Sequence, residues 1–178
     1  DTKTNAAVTD KAAGVMLYGL SSTTRASAKE SRRAKDLVEK AKKEGKITDD
    51  KITEENLRKA GADATEAKQL VTAYPINQAS QSQAVREDVM SGFGNNGGEE
   101  FMSFLMTGEG MLMQGGDNWK KWYDMMSGKL VNIQNNDGSW NGHHCITSPV
   151  FCTATCLLIL SIHKDMQFSM KEHQKTNN

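Results

Sequence analysis

One segment near the C terminus constrains the fold of this chain more than any other. Residues 148–165, SPVFCTATCLLILSIHKD, are predicted to form a helix, with Pro149 near its first turn and apolar residues on nearly every side. A helix of this kind is predicted to be buried, because water would otherwise contact apolar side chains all around it. Its longest apolar run, residues 154–162, is far shorter than the about 20 residues of a membrane-spanning helix. We therefore expect other helices, rather than a membrane, to cover it, and no transmembrane segment.

The composition favours helices throughout the 178-residue chain. Two prolines, three tryptophans, three tyrosines and five phenylalanines are few for a sandwich or barrel of many short strands. The 22 basic residues balance the 22 acidic residues, so no overall field favours binding to nucleic acid or to an acidic membrane. The sequence begins at Asp1 without a charged and apolar leader, so we expect a processed protein or a fragment.

The first part of the chain is predicted to form polar helices. We expect a short apolar helix at residues 9–20, a break at 21–24, and a second helix at 25–44. The second helix has a narrow apolar stripe and interleaved acidic and basic residues. This pattern favours a solvent-exposed face over a phosphate-binding face, which needs several unopposed cations.

The part of the chain that follows, up to residue 98, contains residues typical of turns and helix caps. Thr53 and Asp63 are predicted to cap two short helices, and Pro75 is predicted to end the second of them. A weak helix is expected at residues 77–90. The glycine- and asparagine-rich sequence at 93–98 is the clearest predicted break in the chain.

The second half has a more apolar pattern. We expect one helix from Glu99 and a strongly amphipathic helix capped by Asp117, with two glycines between them. We divide the chain into polar helical hairpins at 1–92, more apolar hairpins at 93–165 and a polar, frayed tail at 166–178, all within one structural domain.

The most informative motif lies between the last two predicted helices. Gln134, Gly138 and Trp140 form Gln-x-x-x-Gly-x-Trp, and Leu130 lies four residues before the glutamine. A glutamine at a helix end can cap exposed carbonyls and bond the start of the next helix, while the tryptophan packs on the outer helix. We therefore predict that the motif is a structural clamp.

This motif resembles the QW repeat of the squalene cyclase and prenyltransferase group, whose members build rings of helical hairpins called α/α toroids. Leu130, Gln134, Gly138 and Trp140 stand at positions of that repeat, and the resemblance is best over residues 117–162. The resemblance implies an all-α fold, here a partial α/α toroid in which about four helical hairpins form an arc. A full ring would need on the order of 250 to 300 residues.

The catalytic residues that the resemblance implies are missing from this sequence. Terpenoid cyclases of the group use an Asp-x-Asp-Asp acid motif, and protein prenyltransferases hold zinc with an Asp-x-Cys pair; the chain contains neither. We therefore favour a non-catalytic role over an enzyme.

The three cysteines lie in one short segment, at Cys145, Cys152 and Cys156. We expect a structural disulfide that joins Cys145 to one of the other two. Cys152 and Cys156 are four residues apart on one helix, where a bridge would be strained. Buried free thiols are the main alternative, and a cysteine nucleophile is the least favoured one.

A zinc site is a further alternative for this segment. Carboxylate, imidazole and thiolate are ligands that zinc prefers, and Asp137, His143, His144 and Cys145 lie close in the sequence. Their spacing matches no recognised ligand pattern, so we expect no cofactor and keep zinc as the weaker alternative.

Methionine is concentrated in the second half of the chain. The six that lie close together are Met102, Met106, Met111, Met113, Met125 and Met126. Such residues more often fill irregular packing between helices, although they also suit an adaptable partner surface. We keep them as candidates for an interface.

These observations predict a scaffold or accessory subunit of a larger, cell-envelope assembly, which is exported to the periplasm or a similar compartment. Its partners would be other protein subunits or a second copy of itself, and no nucleic acid is expected. The alternative is a protein that binds or transforms an isoprenoid or other lipid in an apolar cavity, lined by the inner faces of residues 101–113 and 150–162. A cytoplasmic location stays open.

Overall fold

The computed structural model describes the backbone of residues 2–90, 97–143 and 145–176, and the side chains of residues 17–90, 97–143 and 145–164. Within these ranges the chain is helical and contains no strand, so the predicted all-α class is confirmed. The toroid arc stays a prediction. The helices are α1 Thr2–Lys43, α2 Glu54–Lys59, α3 Ala64–Ala84, α4 Glu87–Met90, α5 Glu99–Gln114, α6 Asp117–Asn132 and α7 Pro149–Thr176.

Helix α1 is continuous where the sequence predicted two helices. The predicted break at residues 21–24 is wrong, because the hydroxyl groups there bond within the helix and to α3. Ser21 Oγ donates to the Tyr18 carbonyl at 2.9 Å, and Thr24 Oγ1 lies 2.6 Å from Ser80 Oγ in the buried α1–α3 interface. Serine and threonine therefore support this helix instead of ending it.

The predicted caps of α2 and α3 are confirmed. Thr53 Oγ1 accepts a hydrogen bond from Asn56 N at 3.2 Å, and Asp63 Oδ1 accepts from the backbone N–H of Thr65 and Glu66 at 2.8 and 2.9 Å. Each cap satisfies N–H groups that have no partner in the first helical turn.

The predicted end of α3 at Pro75 is wrong, because the helix continues to Ala84. Asn77 explains the continuation. Its buried amide donates to the Thr24 carbonyl and to Ser27 Oγ, both at 3.0 Å, and its oxygen accepts from Gln81 Nε2 at 2.8 Å. These contacts hold the segment after the proline against α1, and only Glu87–Met90 of the predicted helix at 77–90 is separate.

Helix α1 is the central element, because it packs along both α3 and α5, and α5 in turn packs against α6 and α7. One apolar cluster lies between the later part of α1, α2 and the start of α3, and includes Leu37, Val38, Leu57 and Leu70. A second cluster joins α5, α6 and α7 and includes Phe104, Met111, Trp122, Met126, Leu130 and Ile159. Helix α1 therefore packs against helices of both the polar first part and the more apolar second part of the chain.

The two predicted non-helical regions of the second half differ in outcome. Most of the break predicted at 93–98 lies outside the described residues, and Gly97 and Gly98 lead directly into α5. Helix α7 continues to Thr176, beyond residue 166 where the frayed tail was predicted to begin. Among the described residues, none of the helices combines the length and apolarity that crossing a membrane requires.

Candidate functional site

The loop between α6 and α7 carries the predicted motif, and Trp140 is its buried centre. The indole is 2% exposed, and its Nε1–H donates to the Leu130 carbonyl of α6 at 2.8 Å. The Trp140 backbone N–H donates to Thr153 Oγ1 of α7 at 3.0 Å, and the Thr153 hydroxyl lies 3.3 Å from the Trp140 carbonyl. One residue therefore connects the end of α6 to the first turns of α7.

Gln134 contacts the loop itself and not the start of α7, which differs from the expectation. Its Nε2 donates to the Gly138 carbonyl at 2.9 Å, and the side chain is exposed. Gly138 has a φ of 84°, a left-handed conformation that glycine adopts at little cost. The loop closes through a bond from Asn135 N to the Ser139 carbonyl at 2.9 Å.

The proposed zinc ligands have other contacts or fall outside the description. Asp137 Oδ1 accepts from Ser139 Oγ at 2.7 Å and from Ser139 N at 3.0 Å, and these hydrogen bonds lower the pKa of the carboxyl group. His144 lies outside the described residues. Within the described part of the chain, no three His, Cys, Asp or Glu side chains are grouped as a metal ion would require.

The second half of the loop lies tightly over the start of α5. Gly98 N donates to the Ile146 carbonyl at 2.9 Å. A Cβ atom on Gly142 would clash with the Ile146 carbonyl oxygen, and a Cβ on Gly98 would lie 2.6 Å from Cys152 Sγ. Both glycines are thus required by a close approach of loop, α5 and α7.

Three polar side chains from separate elements meet beside this contact. Glu99 begins α5, and its Oε1 accepts from Gly97 N at 3.3 Å. The Tyr18 hydroxyl of α1 and the Cys145 thiol of the loop lie beside this carboxylate and interact with it. Burial raises the pKa of Glu99, but hydrogen bonds from backbone N–H groups and from Cys145 outweigh this effect and hold the pKa below its usual value.

The same carboxylate raises the pKa of both of its neighbours. Burial, the charges of Glu99 and Glu100, and the hydrogen bond to Glu99 raise the pKa of Tyr18 to about 12. Desolvation and the nearby Glu99 charge raise the pKa of the Cys145 thiol. Near neutral pH the cluster therefore contains an ionised carboxylate with a protonated phenol and a protonated thiol.

The expected disulfide is not formed in this structure, because all three cysteines are free. Cys145 is exposed and has a φ of 53°, which is uncommon for a residue with a Cβ atom. Cys152 and Cys156 are fully buried in the core, and burial raises the pKa of Cys156 to about 12.

Helix α7 has one buried face and one exposed face, so the prediction that it is buried all round is wrong. The buried face consists of Cys152, Thr155, Cys156, Ile159 and Ile162. Val150, Leu157 and Leu158 are 80%, 53% and 48% exposed. The reason is that, in the part of the chain that the structure describes, α5 and α6 pack against one side of α7 and leave the other side uncovered.

The six methionines differ widely in exposure. Met111 and Met126 are buried in the core, Met106 and Met125 are half-buried, and Met102 and Met113 are exposed. Only the last two are accessible over much of their surface to a partner.

Sequence reasoning missed the contact of Tyr18 with Glu99. It depends on how α1 lies along α5, for which the spacing within either helix gives no signal. It also missed the exposed face of α7, since a fully apolar pattern does not reveal how many neighbours the helix has.

Comparison with known proteins finds no family model, no curated protein and no solved structure that matches this chain.

Proposed function

We propose that this protein is a non-catalytic scaffold or accessory subunit that binds another protein through the outer face of α7. We define this outer face by Val150, Ala154, Leu157 and Leu158, which are all exposed. Residues spaced by three, four or seven positions lie on one side of a helix, so the four side chains form one continuous surface. This exposed apolar surface is the observation that carries the proposal.

The outer face differs from the other exposed helix faces of the protein. Residues 149–162 contain no Asp, Glu, Lys or Arg. The outer side of α1, in contrast, carries ion pairs such as Arg32–Asp36 and Lys43–Glu39. Single exposed apolar residues are ordinary, but a continuous, uncharged group of them on one helix is typical of a contact surface.

Close packing between α5 and α7 supports this role over the lipid-binding alternative. A lipid cavity would need space between the inner faces of these helices. A Cβ atom on Gly108 would lie 2.7 Å from the Trp122 ring and 3.2 Å from Ile162 Cδ1, so protein atoms already fill this region. Phe104 and Ile159 are also fully buried there.

The pKa shifts of Glu99 and Cys145, in the cluster that they form with Tyr18, support a non-catalytic role. The Glu99 carboxylate accepts a hydrogen bond from Gly97 N, and its lowered pKa makes it a weak base. The thiol of Cys145 has a raised pKa, the opposite of the change that activates a cysteine nucleophile.

Site-specific photo-crosslinking in the native cells tests the proposal. A photoreactive amino acid replaces Leu157 in one variant and Lys121, an exposed residue of α6, in a matched control. We expect the variant at position 157 to give a single crosslinked product, larger than the chain by the mass of one partner protein. The variant at position 121 should give no such product. A crosslinking pattern that is the same at both positions, or an absence of crosslinks at 157 in a folded variant, would overturn the proposal.

A further inference from the structure

We infer that Cys145 and Cys152 form a dithiol site that a low-molecular-weight disulfide, such as oxidised glutathione, converts to an intramolecular disulfide. This modification site goes beyond the proposed docking role and does not depend on it.

The two thiols approach the same turn of α5 from different elements. Cys152 Sγ, on α7, packs against Gly98 so closely that a Cβ there would lie 2.6 Å from the sulfur. The Cys145 thiol, in the loop, hydrogen-bonds the carboxylate of the next residue, Glu99. Cys152 Sγ also lies 3.9 Å from the carbonyl of Ile146, the residue that follows Cys145. The loop backbone at Cys145 and the Cys152 sulfur are therefore near neighbours.

The two cysteines differ in access in the way that a stepwise reaction requires. Cys145 is exposed, so a small disulfide can reach it, whereas Cys152 is fully buried and is reached from Cys145. An accessible cysteine beside a second, buried cysteine meets the access requirement of stepwise thiol–disulfide exchange.

The backbone at Cys145 favours a change of loop conformation. Its φ of 53° is left-handed, and a residue with a Cβ is strained there relative to glycine. Cys145 also lies between α6 and α7, outside any helix. A bridge to Cys152 would release the hydrogen bond to Glu99 and join the loop to the first turn of α7.

The chemistry balances without any group held by the protein. Desolvation and the Glu99 charge raise the pKa of Cys145, so only a small fraction of this thiol is ionised near neutral pH, and that fraction carries the first step. The Cys145 thiolate attacks one sulfur of the small disulfide, whose S–S bond breaks, and the released thiolate takes up the proton that Cys145 lost. The Cys152 thiolate then attacks the Cys145 sulfur of this mixed disulfide and releases the second small thiolate, which takes up the proton from Cys152. Two protein thiols are oxidised to one disulfide, and one small disulfide is reduced to two thiols.

Cys156 is not part of this site. It is fully buried, and it lies one helical turn beyond Cys152, where the direction of the two Cβ atoms strains a bridge. Cys156 serves as an internal control, because unselective oxidation would modify this thiol as well.

Peptide mapping of the full chain after incubation with oxidised glutathione tests the inference. Chymotrypsin cleaves after Phe151 and thus separates Cys145 from Cys152, whereas Cys152 and Cys156 stay close in sequence. We expect a two-chain peptide that joins Cys145 to Cys152, with Cys156 recovered as a free thiol, and complete reversal by excess reduced glutathione.

Two variants test the order of the two exchange steps. Cys156→Ala should form the same bridge, and Cys152→Ala should stop at a mixed disulfide between Cys145 and glutathione. A bridge between Cys152 and Cys156, an unresolved mixed disulfide on Cys145 in the wild type, or three free thiols after long exposure to excess oxidant would each overturn the inference. Fragmentation of the wild-type two-chain peptide between Cys152 and Cys156 decides the question even if Cys152→Ala fails to fold, and a bridge from Cys145 to Cys156 would also overturn the inference.

Discussion

The indole N–H of Trp140 lies 2.8 Å from the carbonyl oxygen of Leu130, which links a loop residue to the last turn of the helix before it. The final carbonyls of a helix lack partners within the helix, so this bond satisfies one of them while the ring fills the core. Trp140 is therefore expected to stabilise both the end of α6 and its contact with α7.

Truncation of this ring should be costly. We expect Trp140→Ala to lower the free energy of unfolding by about 3–5 kcal/mol, because a large buried side chain leaves a cavity. Trp119→Ala is the matched control, since Trp119 is only partly buried, and it should cost clearly less. Urea denaturation measures both values, and equal losses would contradict the account.

Gln134 should matter much less than Trp140, although both belong to the motif. Its side chain is exposed, and its bond to the Gly138 carbonyl competes with water. We expect Gln134→Ala to lower the free energy of unfolding by about 0.5–1.5 kcal/mol. A loss as large as that of Trp140→Ala in the same denaturation series would show that the glutamine holds the two helices together.

Pro75 should reduce the stability of α3. It lies at an exposed position inside the helix, where its ring removes a backbone hydrogen bond and crowds the preceding turn. We expect Pro75→Ala to raise the free energy of unfolding by about 1–3 kcal/mol. The greater conformational freedom of the unfolded variant chain offsets part of this gain. Ala73→Pro at a nearby helical position is the control and should destabilise the protein.

Local signals predicted the helical class, the caps at Thr53 and Asp63, and the position of the interhelical loop. They failed where tertiary contacts decide the outcome. Helix α1 continues through Thr24 because the hydroxyl of this residue bonds to Ser80 of α3, and α3 continues past Pro75 because Asn77 is held by α1. No pattern within one helix contains this information.

In the candidate site, too, local sequence predicts some features and tertiary contacts decide the others. The sequence indicates the motif around Trp140, since its residues are close together along the chain. The cluster of Tyr18, Glu99 and Cys145 joins residues far apart in sequence, and their meeting depends on the packing of α1, α5 and the loop. The exposure of Leu157 depends in turn on which helices pack against α7, and no pattern within α7 contains this information.

Removal of the Glu99 charge should make Cys145 more reactive. Desolvation and the Glu99 carboxylate both raise the pKa of the thiol, so Glu99→Gln should remove the second contribution, lower that pKa and increase the thiolate fraction at a given pH. We expect the rate of Cys145 alkylation by iodoacetamide to rise between pH 7 and 9. Glu109→Gln is the control and should leave the rate unchanged, because Glu109 lies ten residues further along the same helix, where it pairs with Arg25 of α1.

Tyr18 should titrate late and make the fold sensitive to alkali. Burial and neighbouring carboxylates raise its pKa from 10.0 to about 12 in the folded protein. Because the folded pKa is the higher one, its contribution to stability is complete below pH 10 and is lost as the pH rises towards 12. Ultraviolet titration should show one late phenol that is absent in Tyr18→Phe, and a Tyr18 transition near pH 10 would contradict this assignment.

The native mass of the protein purified from its own cells tests the docking role of α7 most directly. Analytical ultracentrifugation of the wild type should give a particle well above the 19.6 kDa of one chain. The double variant Leu157→Lys and Leu158→Lys should sediment as a monomer with an unchanged melting temperature, because both side chains are about half exposed. A wild-type protein that is a 19.6 kDa monomer, or a double variant that keeps the full mass of the complex, would contradict the account.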